Sequence, residues 1–254
     1  MFHYADYYQA TYILIIGMVL FLVVMAIIYK RASKRKLKTG IIFLSIFVFI
    51  CGGRKIITCK LKTDQMLQEQ LKQDWLFERY SGPTNIQYKD YPPIYIDSNA
   101  DVFNITIANL KEDLDNTPEW LYKNATSITL TSQQYITNTF PSLDKNSVGC
   151  STYRDRAVYL TSTATSSVLE HEFGHIYDSV FLITFDQTYR DIEPPQVLIS
   201  NQKAVCEASS ESDSSKEYCM STYRETFADA MALYVESPDK LPPDLKAWMD
   251  SLPK

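Results

Sequence analysis

Apolar positions along the chain follow three different periods, and each predicts a different kind of element. From Thr11 to Tyr29, "TYILIIGMVLFLVVMAIIY" is apolar and uncharged, close to the roughly 20 residues a helix needs to cross a bilayer. A second run, "GIIFLSIFVFIC" from Gly40 to Cys51, follows a loop from Lys30 to Lys38 with six basic residues and no acidic one. Together they predict N-terminal transmembrane helices with the basic loop on the cytoplasmic side. Three readings of the short second run stand open: a spanning helix, a signal-peptide core ending near "CGG", or an interfacial helix that leaves the rest of the chain in the cytoplasm. The first two export everything after about Arg54. A lipid anchor on Cys51 fits less well, because bulky Ile50 stands where such a signal needs a small residue.

Beyond this region the period shortens. Lys60 to Tyr80 places Leu67, Leu71 and Trp75 four residues apart among charges, an amphipathic helix read as a stalk. "SGPTN", Ser81 to Asn85, is a turn cluster and a domain boundary. Pro92 to Asp97 and Ser127 to Ser132 read as short strands, and Ala100 to Leu121 as mostly helical. Arg156 to Ser162 alternates and is rich in β-branched and aromatic residues, which predicts a strand leading into the segment that follows. It is also the expected sheet edge for an extended peptide. The organisation expected is a membrane anchor over 1–53, a stalk over 54–84 and an α+β domain over 85–254.

Composition narrows the function. A net charge of −5 argues against a nucleic-acid partner. Cys206 and Cys219 bracket the polar stretch "EASSESDSSKEY" and read equally as a disulfide or as two free thiols. No CxxC pair is present.

The chemistry concentrates in "SSVLEHEFGHIYD", Ser166 to Asp178. Ser167 and Glu170 form a capping-box pattern, and Val168, Leu169, Phe173, Ile176 and Tyr177 supply an apolar face, so a helix is expected from Ser167 to about Leu182. On it His171 and His175 share a face and can bind one Zn²⁺, while Glu172, about 100° further round, can reach a water on the metal as general base. A second helix, "STYRETFADAMALYVESP" from Ser221 to Pro238, has Ser221 as its expected N-cap and carries Glu225 and Asp229 four residues apart. Glu225 would complete a set of three ligands, and Asp229 would orient a ligand imidazole through its other nitrogen. The third histidine, His3, lies before the first apolar run.

HEFGH followed by a helix bearing "ETFADA" resembles the gluzincin metallopeptidases, in particular the group containing the catalytic domain of anthrax lethal factor and the secreted Pro-Pro endopeptidases. The resemblance implies an α+β zincin-like fold, one Zn²⁺ per chain held by His171, His175 and Glu225, and Glu172 as base. It also implies an oxyanion-stabilising tyrosine seven residues before the glutamate ligand, here Tyr218, with Tyr223 the weaker competitor. The substrate expected is a protein or peptide, and a preference for proline near the scissile bond would follow from the resemblance alone. With the apolar runs, this predicts an endopeptidase tethered to the lipid bilayer with its domain outside. A zinc-containing binding or sensory domain without turnover is the alternative. The cysteines around the serine-rich loop have no counterpart in that family pattern.

Overall fold

A computed structural model describes residues 4–31, 33, 35–141, 143, 145–164, 166–184, 193–210 and 212–254. His3 and two positions of the basic loop, Ala32 and Lys34, lie outside these residues. The chain divides into two units, 1–76 and 77–254.

The first unit is a pair of helices, α1 (Tyr4–Arg31) and α2 (Arg35–Leu76). Among the described residues, no helix is long and apolar enough to cross a membrane. This corrects the expectation of transmembrane helices, and with it the membrane-anchored, external placement of the domain. The second apolar run does not form a segment of its own. It is the early part of a 42-residue helix that continues through Arg54 and Lys55, and twelve residues at ~1.5 Å each reach about 18 Å of the ~30 Å of a bilayer core. In the first run, part of the apolar surface is used between helices: Met25 and Ile41 are buried, with Phe21 packed on them. The stalk expected from Lys60 onward is the distal half of α2 and ends at Leu76, a few residues before the predicted turn.

The second unit is α+β, built on a five-stranded mixed sheet. Its strands are β1 (Asn85–Ile86), β2 (Ile94–Ile96), β3 (Ser127–Leu130), β4 (Gly149–Thr152) and β5 (Ala157–Leu160), in the order β1-β2-β3-β5-β4. β2, β3 and β5 are parallel, while β1 and β4 pair antiparallel at the two ends. The expected strands are therefore present, but the edge assignment changes: β5 lies inside the sheet, and β4 is the edge strand. Alternation decides the packing face. Ile128 and Leu130 on β3, in register with Val158 and Leu160 on β5, are buried, as a half-buried sheet requires.

Helices α3 (Asn104–Asn116), α4 (Glu119–Tyr122) and α5 (Gln133–Thr139) fill the connections between strands. α6 (Ser166–Phe181) then presents Leu169, Phe173, Ile176 and Tyr177 to the core, and α7 (Gln196–Ser209), α8 (Asp213–Ser221), α9 (Tyr223–Glu236) and α10 (Pro243–Asp250) complete the unit. Phe227, Ala230 and Met231 of α9 are fully buried with them, each large apolar side chain contributing about 1.5–3 kcal/mol. Cys206 and Cys219 form a disulfide with Cα atoms 5.5 Å apart, which joins α7 to α8 and settles the pair left open by the sequence. Cys150 on β4 is a buried free thiol.

Helix α6 begins at Ser166, so Ser167, expected as its cap, lies within the first turn. The Glu170 carboxylate is buried and its Oε1 accepts from the Thr117 hydroxyl at 2.8 Å. Burial, with Glu236 and Asp113 nearby, pushes this carboxyl up to about 7. The folded chain thus keeps a proton that the unfolded chain releases above its ordinary glutamate pKa near ~4.3. Stability from this group is present below that value and is lost as pH rises toward 7. Glu170→Gln is expected to remove this slope and to stabilise the protein at pH 8 by about 2–3 kcal/mol, as read by urea unfolding at pH 5 and pH 8. Equal pH dependence in both proteins would refute the assignment.

Candidate metal centre

The site is made where α6 crosses α9, and glycine sets the spacing of that crossing. A Cβ added at Gly174 would lie 3.0 Å from Ala228 Cα, 3.1 Å from Met231 Cβ and 3.3 Å from the Ala228 carbonyl oxygen. Only hydrogen at position 174 lets the two helices approach this closely. Gly174 precedes His175, and Ala228 lies one turn after Glu225, so the contact brings donors from both helices together. α9 starts one residue later than the sequence pattern suggests. Thr222 is the N-cap, its Oγ1 accepting from the Glu225 N–H at 3.1 Å, and Glu225 thereby sits in the first turn, where the helix dipole favours a carboxylate.

His171 Nε2 and His175 Nε2 lie 3.3 Å and 3.2 Å from the same oxygen, Glu225 Oε2. The donor atoms of the three residues fall within 4.8 Å of one another. Burial pushes the Glu225 carboxyl up, but the charges of His175 and His171 outweigh this and hold it well below the ordinary carboxylate range. For His171, burial opposes the charged ring, and the Asp229 and Glu225 carboxylates more than reverse that effect.

The donor set fits a cation. Glu225 Oε2 is buried without a hydrogen-bond partner among the described residues, although two imidazole nitrogens stand beside it. A buried carboxylate oxygen in that condition is costly, and a metal ion facing all three atoms removes the cost. Two imidazoles and one carboxylate on adjacent helices also form a ligand set that zinc takes, with a position left open. Asp229 stands where the sequence suggested: its Oδ1 lies 2.7 Å from His171 Nδ1, and its Oδ2 accepts from Ser209 Oγ at 3.1 Å. In the neutral ring, a proton held at Nδ1 by Asp229 leaves the Nε2 lone pair facing the site. Asp229→Asn is expected to weaken metal binding by about 10–100-fold with the fold intact, measured by competition with a chromophoric chelator. Unchanged affinity would remove Asp229 from the site.

Glu172 is 5% exposed and its Oε2 has no hydrogen-bond partner among the described residues. Burial raises its carboxyl, and the two imidazoles pull in the opposite direction. Its neighbour across the site is β4, where a Cβ at Gly149 would stand 2.6 Å from Val168 Cγ1 and 3.0 Å from Glu172 Oε1. Tyr218 on α8 is only partly buried, its side chain lying beside His171 and Glu172 on the wall of the site. That partial burial, with Glu225 and Glu172 nearby, pushes the phenol upward. Tyr223, the competitor for the same role, packs against the hydrophobic core.

These residues open on a cleft of about 400 Å³ lined by Val148, Gly149, Val168, His171, Glu172, Ser209, Tyr218 and Asp229 among others. The sequence reading missed β4, Gly149 and Ser209. "GCST" lacks the large alternating residues that mark a strand, and the signal that remained was the turn leading into the β5 pattern, where Arg156 takes a positive φ of 50°. Compared with protein-family models, the sequence matches none, and comparison with curated proteins likewise finds no match.

Proposed function

We propose that the second unit is a zinc-dependent endopeptidase of the gluzincin type. The observation that carries this reading is the convergence of His171 Nε2, His175 Nε2 and a Glu225 Oε2 without a hydrogen-bond partner among the described residues, next to the buried carboxylate of Glu172. A metal site that only binds has no need for a second buried carboxylate. Zn²⁺ bound there supplies Lewis acidity and brings the pKa of a water toward ~7.

The chain's own residues account for the remaining chemistry. Glu172 takes the proton from the attacking water and returns it to the leaving amine, and its low exposure keeps that proton from bulk solvent. The Tyr218 hydroxyl donates to the carbonyl oxygen as negative charge develops there. β4, as the edge strand beside the cleft, offers backbone groups to an extended peptide. Peptides are therefore the substrate class that suits both the chemistry and the shape of the cleft.

The test is metal analysis of protein purified without added zinc, together with cleavage of a mixed peptide library before and after chelation. One zinc per chain, and cleavage lost on chelation and restored by zinc, are expected. A folded protein that takes up no zinc would overturn the reading.

A further inference from the structure

One wall of the cleft is secured in an unusual way. Ser214, Ser215 and Tyr218 recur on one face of α8 and line the cleft. Of the nine residues of this helix, Cys219 is the buried one. A helix of this length does not persist alone in water, and α8 has no apolar stripe to dock it. Its anchors are the disulfide from Cys219 to Cys206 of α7 and hydrogen bonds at its C-terminal end. There Thr226 Oγ1 donates to the Cys219 carbonyl at 2.9 Å, and Gln202 Nε2 to the Met220 carbonyl at 3.4 Å. The group formed by His171, His175 and Glu225 depends on different contacts, the close crossing of α6 and α9 at Gly174 and Ala228.

We infer that the Cys206–Cys219 disulfide is a positioning device: it pins α8 so that Tyr218 keeps its place in the cleft wall beside His171 and Glu172, and its loss releases Tyr218 while the three-donor group stays assembled. Tyr218 directly precedes Cys219, so the covalent link acts one residue from the group it positions. The kinetic side of this inference rests on the peptidase reading. The mechanical side does not.

The experiment compares four full-length proteins: wild type, Tyr218→Phe, the pair C206A/C219A, and the triple variant. In the pair, amide hydrogen exchange over residues 213–221 is expected to rise at least about tenfold, with α6, α9 and zinc content unchanged. Its kcat is expected to fall about a hundredfold, as in Tyr218→Phe, with KM nearly unchanged. The triple variant should be no slower than Tyr218→Phe, because both changes remove the same interaction. The pair C206S/C219S repeats the measurement with side chains closer in volume to cysteine.

Unchanged exchange over 213–221, loss of zinc or general unfolding in both pairs, or additive losses in the triple variant would overturn the inference. If wild type binds zinc but cleaves no peptide, the peptidase reading fails by itself, and exchange and zinc content alone decide the positioning role.

Discussion

Glu172→Gln is expected to lower kcat/KM for a peptide that the wild type cleaves by about a thousandfold or more, within the range a positioned general base contributes, while zinc content and thermal stability stay close to wild type. Glutamine keeps the shape of the buried side chain, so the cleft wall formed by Val168 and Gly149 need not move. It cannot accept the proton of the attacking water. Zinc analysis and steady-state kinetics on the same preparation provide the check, and activity within tenfold of wild type would remove Glu172 from the proton path. If zinc were lost along with activity, Glu172 would instead be acting as a ligand, contrary to the donor geometry, in which Glu225 fills that position.

The second large effect is expected at a residue that touches no metal. Gly174→Val places a branched side chain where even a single Cβ would be 3.0 Å from the Ala228 backbone. Because the obstacle is backbone, no rotamer change relieves it, and α6 and α9 must separate. Overpacking of this kind costs about 3 kcal/mol, and moving the donors apart should weaken zinc binding by about a hundredfold or more, beyond what loss of an outer hydrogen bond does. Urea unfolding measures the first effect and chelator competition the second. Loss of stability with zinc affinity intact would show that the crossing supports the fold but does not set the donor spacing.

The residues of the candidate site were legible because their signals are local. The i, i+4 spacing of His171 and His175, and of Glu225 and Asp229, fixes a shared helix face, and the structure places all four where that geometry requires. Tyr218 came from the family resemblance and lines the cleft beside His171 and Glu172 through tertiary packing that no spacing rule contains. Helix starts were less secure. Serines adjoin both, and their cap patterns do not record that Thr222 caps α9 in place of Ser221, or that α6 begins ahead of Ser167.

The sheet edge was misread because the pattern in "RAVYLTS" marks burial and not strand order: Ala157, Val158 and Leu160 are buried, and β5 lies between β3 and β4. The N-terminal apolar runs were read as membrane spans from length and hydrophobicity. Neither signal shows that the second run continues into the charged length of α2, or that Met25 meets Ile41.

The crossing at Gly174 also has a thermodynamic meaning. The three donors lie on two segments far apart in sequence and converge only when α6 and α9 are docked, so a cation bound by all three recognises the native chain and not the unfolded one. By linkage, each tenfold rise in its free concentration above the dissociation constant adds about 1.4 kcal/mol to folding stability. With such a cation bound, the melting temperature would become a gauge of metal occupancy, and the same helix contact that organises the site would tie the stability of the fold to the supply of the ion.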